Sequence, residues 1–167
     1  VFNGEIYNHS KLRETVDSKQ PINWQGLSDT ETFLFCIETM GFDLALEKAQ
    51  GMFAFALWDR ELRLLTLCRD RFGEKPVYYG WSGQGSKSVF GFSSDLSAFE
   101  RHSAFNLEID RGALAGFMRY NNVGGEYSIY KGIKKLLPGH ILTVSYSDPF
   151  PKSRSWYSAA SLLGNRV

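Results

Sequence analysis

The run Val1-Phe2-Asn3-Gly4-Glu5-Ile6-Tyr7-Asn8-His9 sets an amide side chain, a backbone N–H with no Cβ beside it and a carboxylate at consecutive positions. The Asn3 carboxamide and the Gly4 N–H are two donors able to converge on one ligand oxygen, because glycine lets that oxygen approach without meeting a side chain. Donors pre-aimed at a developing alkoxide form an oxyanion hole, and losing one of them raises the barrier by roughly 2.7–4 kcal/mol. Glu5 then stands where it can take a ligand's ammonium. The same residues also have a plainer reading. Asn-Gly is a strong turn signal, so a buried strand ends at Val1-Phe2 and Glu5 merely opens the next helix.

A second acid stands at position 29. Ser28 is followed three residues later by Glu31, the capping-box spacing, and residues 30–40 then read as a helix stopped by Gly41. Asp29 either complements that helix's dipole as a first-turn acid or, if the helix starts near the Asn3-Gly4 corner, shares a ligand's amino group with Glu5. Other reactive types read as structural. His140 follows Pro138-Gly139 at a strand start, where a histidine serves hydrogen bonding. Cys36 and Cys68 have no CxxC or metal-ligand spacing and sit in apolar stretches, where a thiol behaves as a small hydrophobe.

The elements that must hold these residues follow from periodicity. Residues 7–19 have amphipathic helical spacing, ended by Gln20-Pro21; 22–27 read as extended and 42–49 as a further helix. Residues 51–59, GMFAFALWD, are apolar at every interior position, which predicts a strand covered on both faces. Its large residues, Phe53, Phe55 and Leu57, fall on one face; Ala54 and Ala56 fall on the other and permit a close-packed second layer. A short connection at 59–63 returns the chain as a strand over 64–69. A charged turn at 70–76 leads to strands at 77–81 and 88–92 around Gly83-Gln84-Gly85, so the four are expected as an antiparallel meander. The arginine-rich turn lacks the phosphate-cradling spacing Gly-x-x-x-x-Gly-Lys-Ser/Thr and is read as a salt-bridge cluster. Ser93-Ser94-Asp95 caps a helix to 101, Asp110 caps another over 111–120, and a fifth strand is expected over 141–146. Residues 147–167 read as a linker, which Trp156-Tyr157 can anchor.

Composition narrows the class. At 167 residues, 43% hydrophobic and 15% aromatic, the chain has material for one globular unit. Nineteen basic against eighteen acidic residues give a net +1, with no electrostatic footprint for nucleic acid or an anionic membrane. No apolar run approaches the ~20 residues of a membrane span, and no signal peptide opens the chain, so a cytoplasmic location is the default expectation. The start on Val1, within what reads as a strand, suggests a fragment.

The ordered series FNGEIYNH (2–9), SDTE (28–31), GMFAFALWD (51–59), RDRFGEKPVYYG (69–80), FSSDLSAF (92–99) and KKLLPGH (134–140) resembles the glutamine amidotransferase domain of the glutamine-hydrolysing asparagine synthetase family. Single motifs in the series are weak, but their order through almost the whole chain is specific. The resemblance implies an α+β fold, a four-layer αββα N-terminal-nucleophile hydrolase sandwich of two antiparallel sheets, truncated at its N-terminus. It implies a partial amidotransferase domain over 1–146 and, over 147–167, a linker towards an ATP-dependent synthetase domain that activates aspartate with ATP and Mg²⁺; no cofactor is implied for the chain itself.

In that family an N-terminal cysteine attacks the side-chain amide of L-glutamine, with its own α-amine as general base. The resemblance carries Asn3 and Gly4 over as the oxyanion hole, Glu5 and Asp29 as the holders of glutamine's amino group, and Ser28 as part of the same pocket. The nucleophile would precede Val1, so the isolated chain is expected to be inactive. Two alternatives stay open: an amidotransferase with another acceptor, a sugar phosphate or a phosphoribosyl group, and a non-catalytic glutamine-binding or assembly module. A homodimer is also left open. Asp95 departs from the family's usual glutamate, which touches helix capping more than chemistry.

Overall fold

The computed structural model describes residues 1–83 and 88–160. The chain opens with strand β1 (Phe2–Ile6), followed by three helices, α1 (His9–Asp17), α2 (Asp29–Met40) and α3 (Phe42–Lys48). Strands β2 (Gly51–Asp59), β3 (Leu64–Arg69), β4 (Tyr78–Ser82) and β5 (Val89–Ser93) come next. Helices α4 (Ser97–Arg101) and α5 (Arg111–Tyr120) then precede β6 (Ile133–Lys135), β7 (His140–Ser145) and β8 (Lys152–Ser155). Two sheets result, both antiparallel in every pairing: a five-stranded one ordered β1-β2-β3-β7-β8 and a three-stranded one ordered β5-β4-β6.

The alternation along β2 decides what covers each face. Phe53 and Phe55 point to the helices, where they pack with Phe33 and Cys36 of α2, Ala45 and Leu46 of α3, and Leu12 and Val16 of α1. Phe33 contacts both rings, at centroid distances of 5.8 and 5.5 Å. Ala54 and Ala56 point the other way, against Val77, Tyr79, Phe90 and Phe92 of the smaller sheet's side. The small alanines admit this second layer, as their spacing predicts. Each fully buried Phe or Leu contributes roughly 1.5–3 kcal/mol of apolar transfer, so this sandwich is held chiefly by its two interior faces.

Several sequence expectations are corrected. The Asn3-Gly4 pair is no turn: β1 continues to Ile6, with Asn3 opposite Ala54 and Gly4 opposite Phe53. Gly4 adopts φ +145°, and a Cβ there would stand 2.1 Å from the Met52 carbonyl oxygen, so glycine is required by close approach within the ladder. The four strands form no single meander either, since β2-β3 and β4-β5 belong to different sheets and the 70–76 turn is the crossover. Residues 22–27, expected as a short extended piece, are irregular chain with no helix or strand. Of the expected Gly83-Gln84-Gly85 turn, Gln84 and Gly85 lie outside the described residues. Residues 147–167, expected as a linker, include β8, which pairs with β7 from His140↔Ser155 to Thr143↔Lys152.

The crossover is held by side chains bonded to backbone groups, and among the described residues no salt bridge joins it. Asp70, fully buried, accepts hydrogen bonds from the N–H groups of Phe72 (3.0 Å), Glu74 (3.0 Å) and Lys75 (2.9 Å), and from Phe53 at 3.3 Å. Arg69 donates to the carbonyls of Lys75 (2.9 Å), Leu136 (2.7 Å) and Gly73. Arg71 donates to the carbonyls of Ala49, Leu46 and Glu47, where α3 ends, and its guanidinium lies over the rings of Trp156 and Tyr157. Trp156, which also stacks on Phe53 at 6.3 Å and donates from Nε1 to Arg69 O, anchors the tail as expected.

Candidate functional site

β1 is the outer strand of its sheet, and its hydrogen-bond parity determines which groups are free. The Val1 amine donates to Ala56 O and the Ala56 N–H returns a bond to Val1 O, each 2.9 Å, while the Tyr7 N–H reaches Gln50 O at 2.8 Å. Odd-numbered residues of β1 therefore face β2, and the N–H groups of Phe2, Gly4 and Ile6 point to the open edge. The Ile6 N–H is taken there by Asp29 Oδ2 at 2.8 Å. Gly4, two residues earlier on the same edge, has no such partner among the described residues.

Side chains alternate on the same strand. Phe2 and Ile6 pack into the helix-facing core, so Asn3 and Glu5 share the opposite face, towards the second sheet. Both are exposed. Neither the Asn3 carboxamide nor the Glu5 carboxylate has a hydrogen-bond or ion-pair partner among the described residues. Asn3 lines a cavity of about 220 Å³ with Ala54 and Ala56 as floor and Pro76, Val77, Phe92, Ser93 and Ser94 as the opposite wall. On the helix side of the same strand end, Val1, Phe2, Thr30, Phe33 and Leu34 line a smaller apolar hollow of about 160 Å³.

Asp29 is half-buried at the start of α2. Its Oδ1 accepts from the Thr30 N–H at 2.7 Å and from the Thr30 hydroxyl at 3.3 Å, while its Oδ2 holds the Ile6 N–H, which leaves Oδ2 one further lone-pair direction. Ser28 caps the helix as its spacing predicts, accepting from the Glu31 N–H at 3.1 Å. The capping is not reciprocal, because the Glu31 carboxylate turns to the N–H groups of Gln25 (2.7 Å) and Gly26 (2.9 Å). Arg13 of α1 ties the same loop to α2, donating to Gly26 O and to Thr32 Oγ1 with its guanidinium 4.1 Å from the Trp24 ring. Asn8 completes the frame, bonding Lys48 O and the Gln50 N–H and so fixing the end of β1 to the start of β2.

Asn3, Gly4 and Glu5 thus lie consecutively on one edge strand, and Asp29 is bonded to the residue after Glu5. Ser28 lines neither cavity, and its hydroxyl is engaged in the cap. The cavity wall made by Ser93 and Ser94 was read from sequence only as a helix cap. Nothing local announces that β5 would end opposite β1, since that juxtaposition depends on the crossover between sheets. Cys36 and Cys68 are buried and unpaired, and burial raises both thiol pKa values, Cys68 the more strongly with the Asp70 charge adding to it. His140 Nδ1 bonds Pro138 O at 2.8 Å, in keeping with a structural role. A roomier hollow of about 500 Å³ lies beside α5, but its acid, Asp110, is occupied in capping Gly112 and Ala113.

Among the described residues no group of three or more His, Cys, Asp or Glu side chains could hold a metal ion, and no helix is long and apolar enough to cross a membrane.

An α+β domain of two antiparallel sheets, with open donors and two acids gathered along one edge strand, is the class that fold and site define. The chain belongs to the glutamine amidotransferase domain family, which it matches over residues 1–157. It is 35% identical over 150 residues to asparagine synthetase [glutamine-hydrolyzing] 3 of Bacillus subtilis, covering 87% of this chain and 23% of the relative. A putative asparagine synthetase [glutamine-hydrolyzing] 2 of Methanocaldococcus jannaschii is 35% identical over 138 residues, covering 81% of this chain and 25% of the relative. A putative asparagine synthetase [glutamine-hydrolyzing] of Mycobacterium tuberculosis is 33% identical over 139 residues, or 83% and 21%. The chain therefore spans about a quarter or less of the length of these relatives.

Proposed function

We propose that this chain forms part of a glutaminase site that releases ammonia from L-glutamine for an acceptor bound elsewhere in a longer polypeptide. The observation that carries the reading is the open edge of β1, where the unpartnered Gly4 N–H stands beside the Asp29-bound Ile6 N–H, with free Asn3 and Glu5 side chains on the adjoining face. In this reading Asn3 and Gly4 donate to the oxygen of the tetrahedral intermediate, while Glu5 and the remaining lone pair of Asp29 Oδ2 receive the α-ammonium. Ser28 contributes by fixing the helix start from which Asp29 projects.

The nucleophile comes from outside residues 1–167, because both cysteines are buried and lie within the chain, where neither bears a free α-amine. The 167-residue chain by itself is accordingly expected to hydrolyse no glutamine. We extend the reading to asparagine synthesis, the activity for which the relatives are named, with aspartate as the acceptor, activated by ATP and Mg²⁺ in a further domain. Helices α4 and α5 supply the fourth layer of an αββα sandwich in this reading, which is supported by Phe99 of α4, buried beside Gly91 of β5.

The test is hydrolysis of L-glutamine by the longest polypeptide that the gene encodes. Equal release of glutamate and ammonia is expected, with a raised KM and little change in kcat for Glu5→Gln. No release of ammonia from glutamine would overturn the reading.

A further inference from the structure

Asp29 does more in this structure than offer a charge to a ligand. Its two carboxylate oxygens each accept from a backbone N–H, and the two belong to different elements: Ile6, at the end of β1, and Thr30, in the first turn of α2, whose hydroxyl also donates to Oδ1. The bond from Ile6 reaches 23 residues along the chain and is the one hydrogen bond that the outward-facing N–H groups of β1 donate to a side chain among the described residues. An edge strand with open N–H groups is free to twist and fray, and a fixed acceptor on that edge removes the freedom where it binds.

Gly4 and Ile6 are two residues apart in one strand, so their N–H vectors are set together by the local twist. β1 is gripped on its inner side by the pairing with β2. On its outer side Asp29 is the grip. α2 is in turn a firm mount: Thr32, Phe33 and Cys36 are buried, Ser28 caps the helix, and Arg13 binds it to α1 through Thr32 Oγ1. The geometry points to Asp29 as a positioning residue that aims the Gly4 N–H by holding the Ile6 N–H, a role separate from any contact of its charge with substrate. This inference rests on the proposed glutaminase reading and deepens it.

The two roles come apart in a pair of variants. Asp29→Asn removes the charge but keeps a carbonyl oxygen that can hold Ile6 at the expense of the local Thr30 bond. Asp29→Glu keeps the charge but moves the oxygens out by a methylene, away from Ile6. A misplaced donor of about 1 Å can cost on the order of 10²-fold in rate. In the longest encoded polypeptide, Asp29→Glu should therefore lower kcat for glutamine hydrolysis at least about 10-fold with KM within about 3-fold, whereas Asp29→Asn should raise KM with the smaller loss in kcat. Amide exchange gives an independent readout in the same proteins, with the Ile6 and Gly4 amides exchanging faster in Asp29→Glu than in Asp29→Asn. A purely electrostatic role predicts the opposite ranking, with Asp29→Glu near wild type in kcat and in Ile6 exchange, and that result would overturn the inference. A wild-type polypeptide that releases no ammonia from glutamine would instead overturn the glutaminase reading on which it rests.

Discussion

Asp70 and Phe53 exchange hydrogen bonds in both directions: the Asp70 N–H donates to Phe53 O at 2.8 Å, and Asp70 Oδ2 accepts from the Phe53 N–H at 3.3 Å. Phe53 is the residue directly opposite Gly4. One carboxylate therefore anchors the strand behind the candidate oxyanion donor and, through Phe72, Glu74 and Lys75, shapes the turn that carries the chain to the second sheet.

Replacing this residue leaves several N–H groups buried without acceptors, each at a cost of roughly 1–3 kcal/mol. Asp70→Ala is expected to destabilise the fold by at least about 3 kcal/mol in chemical denaturation. Asp70→Asn should lose less, since one oxygen remains. A loss below about 1 kcal/mol in the alanine variant would show that the crossover does not depend on that side chain.

Gly4→Ala is expected to be worse than a helix-propensity or loop substitution. Its Cβ would lie 2.1 Å from Met52 O and 2.6 Å from Phe53 Cα, both backbone atoms of a paired strand. Either β1 lifts from β2 or the residue leaves φ +145°, and both displace the Gly4 N–H. Glutamine hydrolysis by the longest encoded polypeptide should fall at least about 10²-fold, with a fold destabilised by about 1–3 kcal/mol. Retained activity would remove the Gly4 N–H from the proposed site.

How far these features could be read in advance depends on their range. The two faces of β2 were legible, because Phe53, Phe55, Ala54 and Ala56 alternate with the strand period. So were the caps at Ser28 and Asp110, whose acceptors are two or three residues from their donors. Asn3-Gly4 misled because its turn propensity is local, whereas the pairing with Ala54 and Phe53 that overrides it spans about fifty residues. The division of four strands between two sheets has no periodic signature; it follows from the buried Asp70 turn. Strand β8 escaped because all four of its residues are exposed, so no apolar alternation marks it, and it is defined by its backbone pairing with β7. Within the candidate site, the identities of Asn3, Gly4, Glu5 and Asp29 were legible, but the Ile6 to Asp29 bond and the Ser93-Ser94 wall were not.

The thiol of Cys68 sets an alkaline limit. Burial, with the nearby Asp70 charge adding to it, raises its pKa well above 9.0 in the folded chain. The folded state thus keeps a proton that the unfolded state releases, so the contribution to stability is complete below about pH 9 and is lost as pH rises from there towards the folded value. Between pH 9 and 10 the wild type should lose up to about 1.4 kcal/mol more than Cys68→Ala, read from denaturation midpoints at the two pH values. Parallel losses in the two proteins would contradict a buried neutral thiol. Slow labelling of Cys68 by a thiol reagent in the native chain should accompany the effect.

The most direct test of the central claim is the kcat of glutamine hydrolysis in the longest encoded polypeptide, compared between wild type and Asn3→Ala. The Asn3 side chain is exposed and has no hydrogen-bond partner among the described residues, so its removal should leave the fold intact. A fall in kcat of about 10²–10³-fold with KM within about 3-fold is expected if the carboxamide donates to the oxyanion. An unchanged kcat would contradict the account.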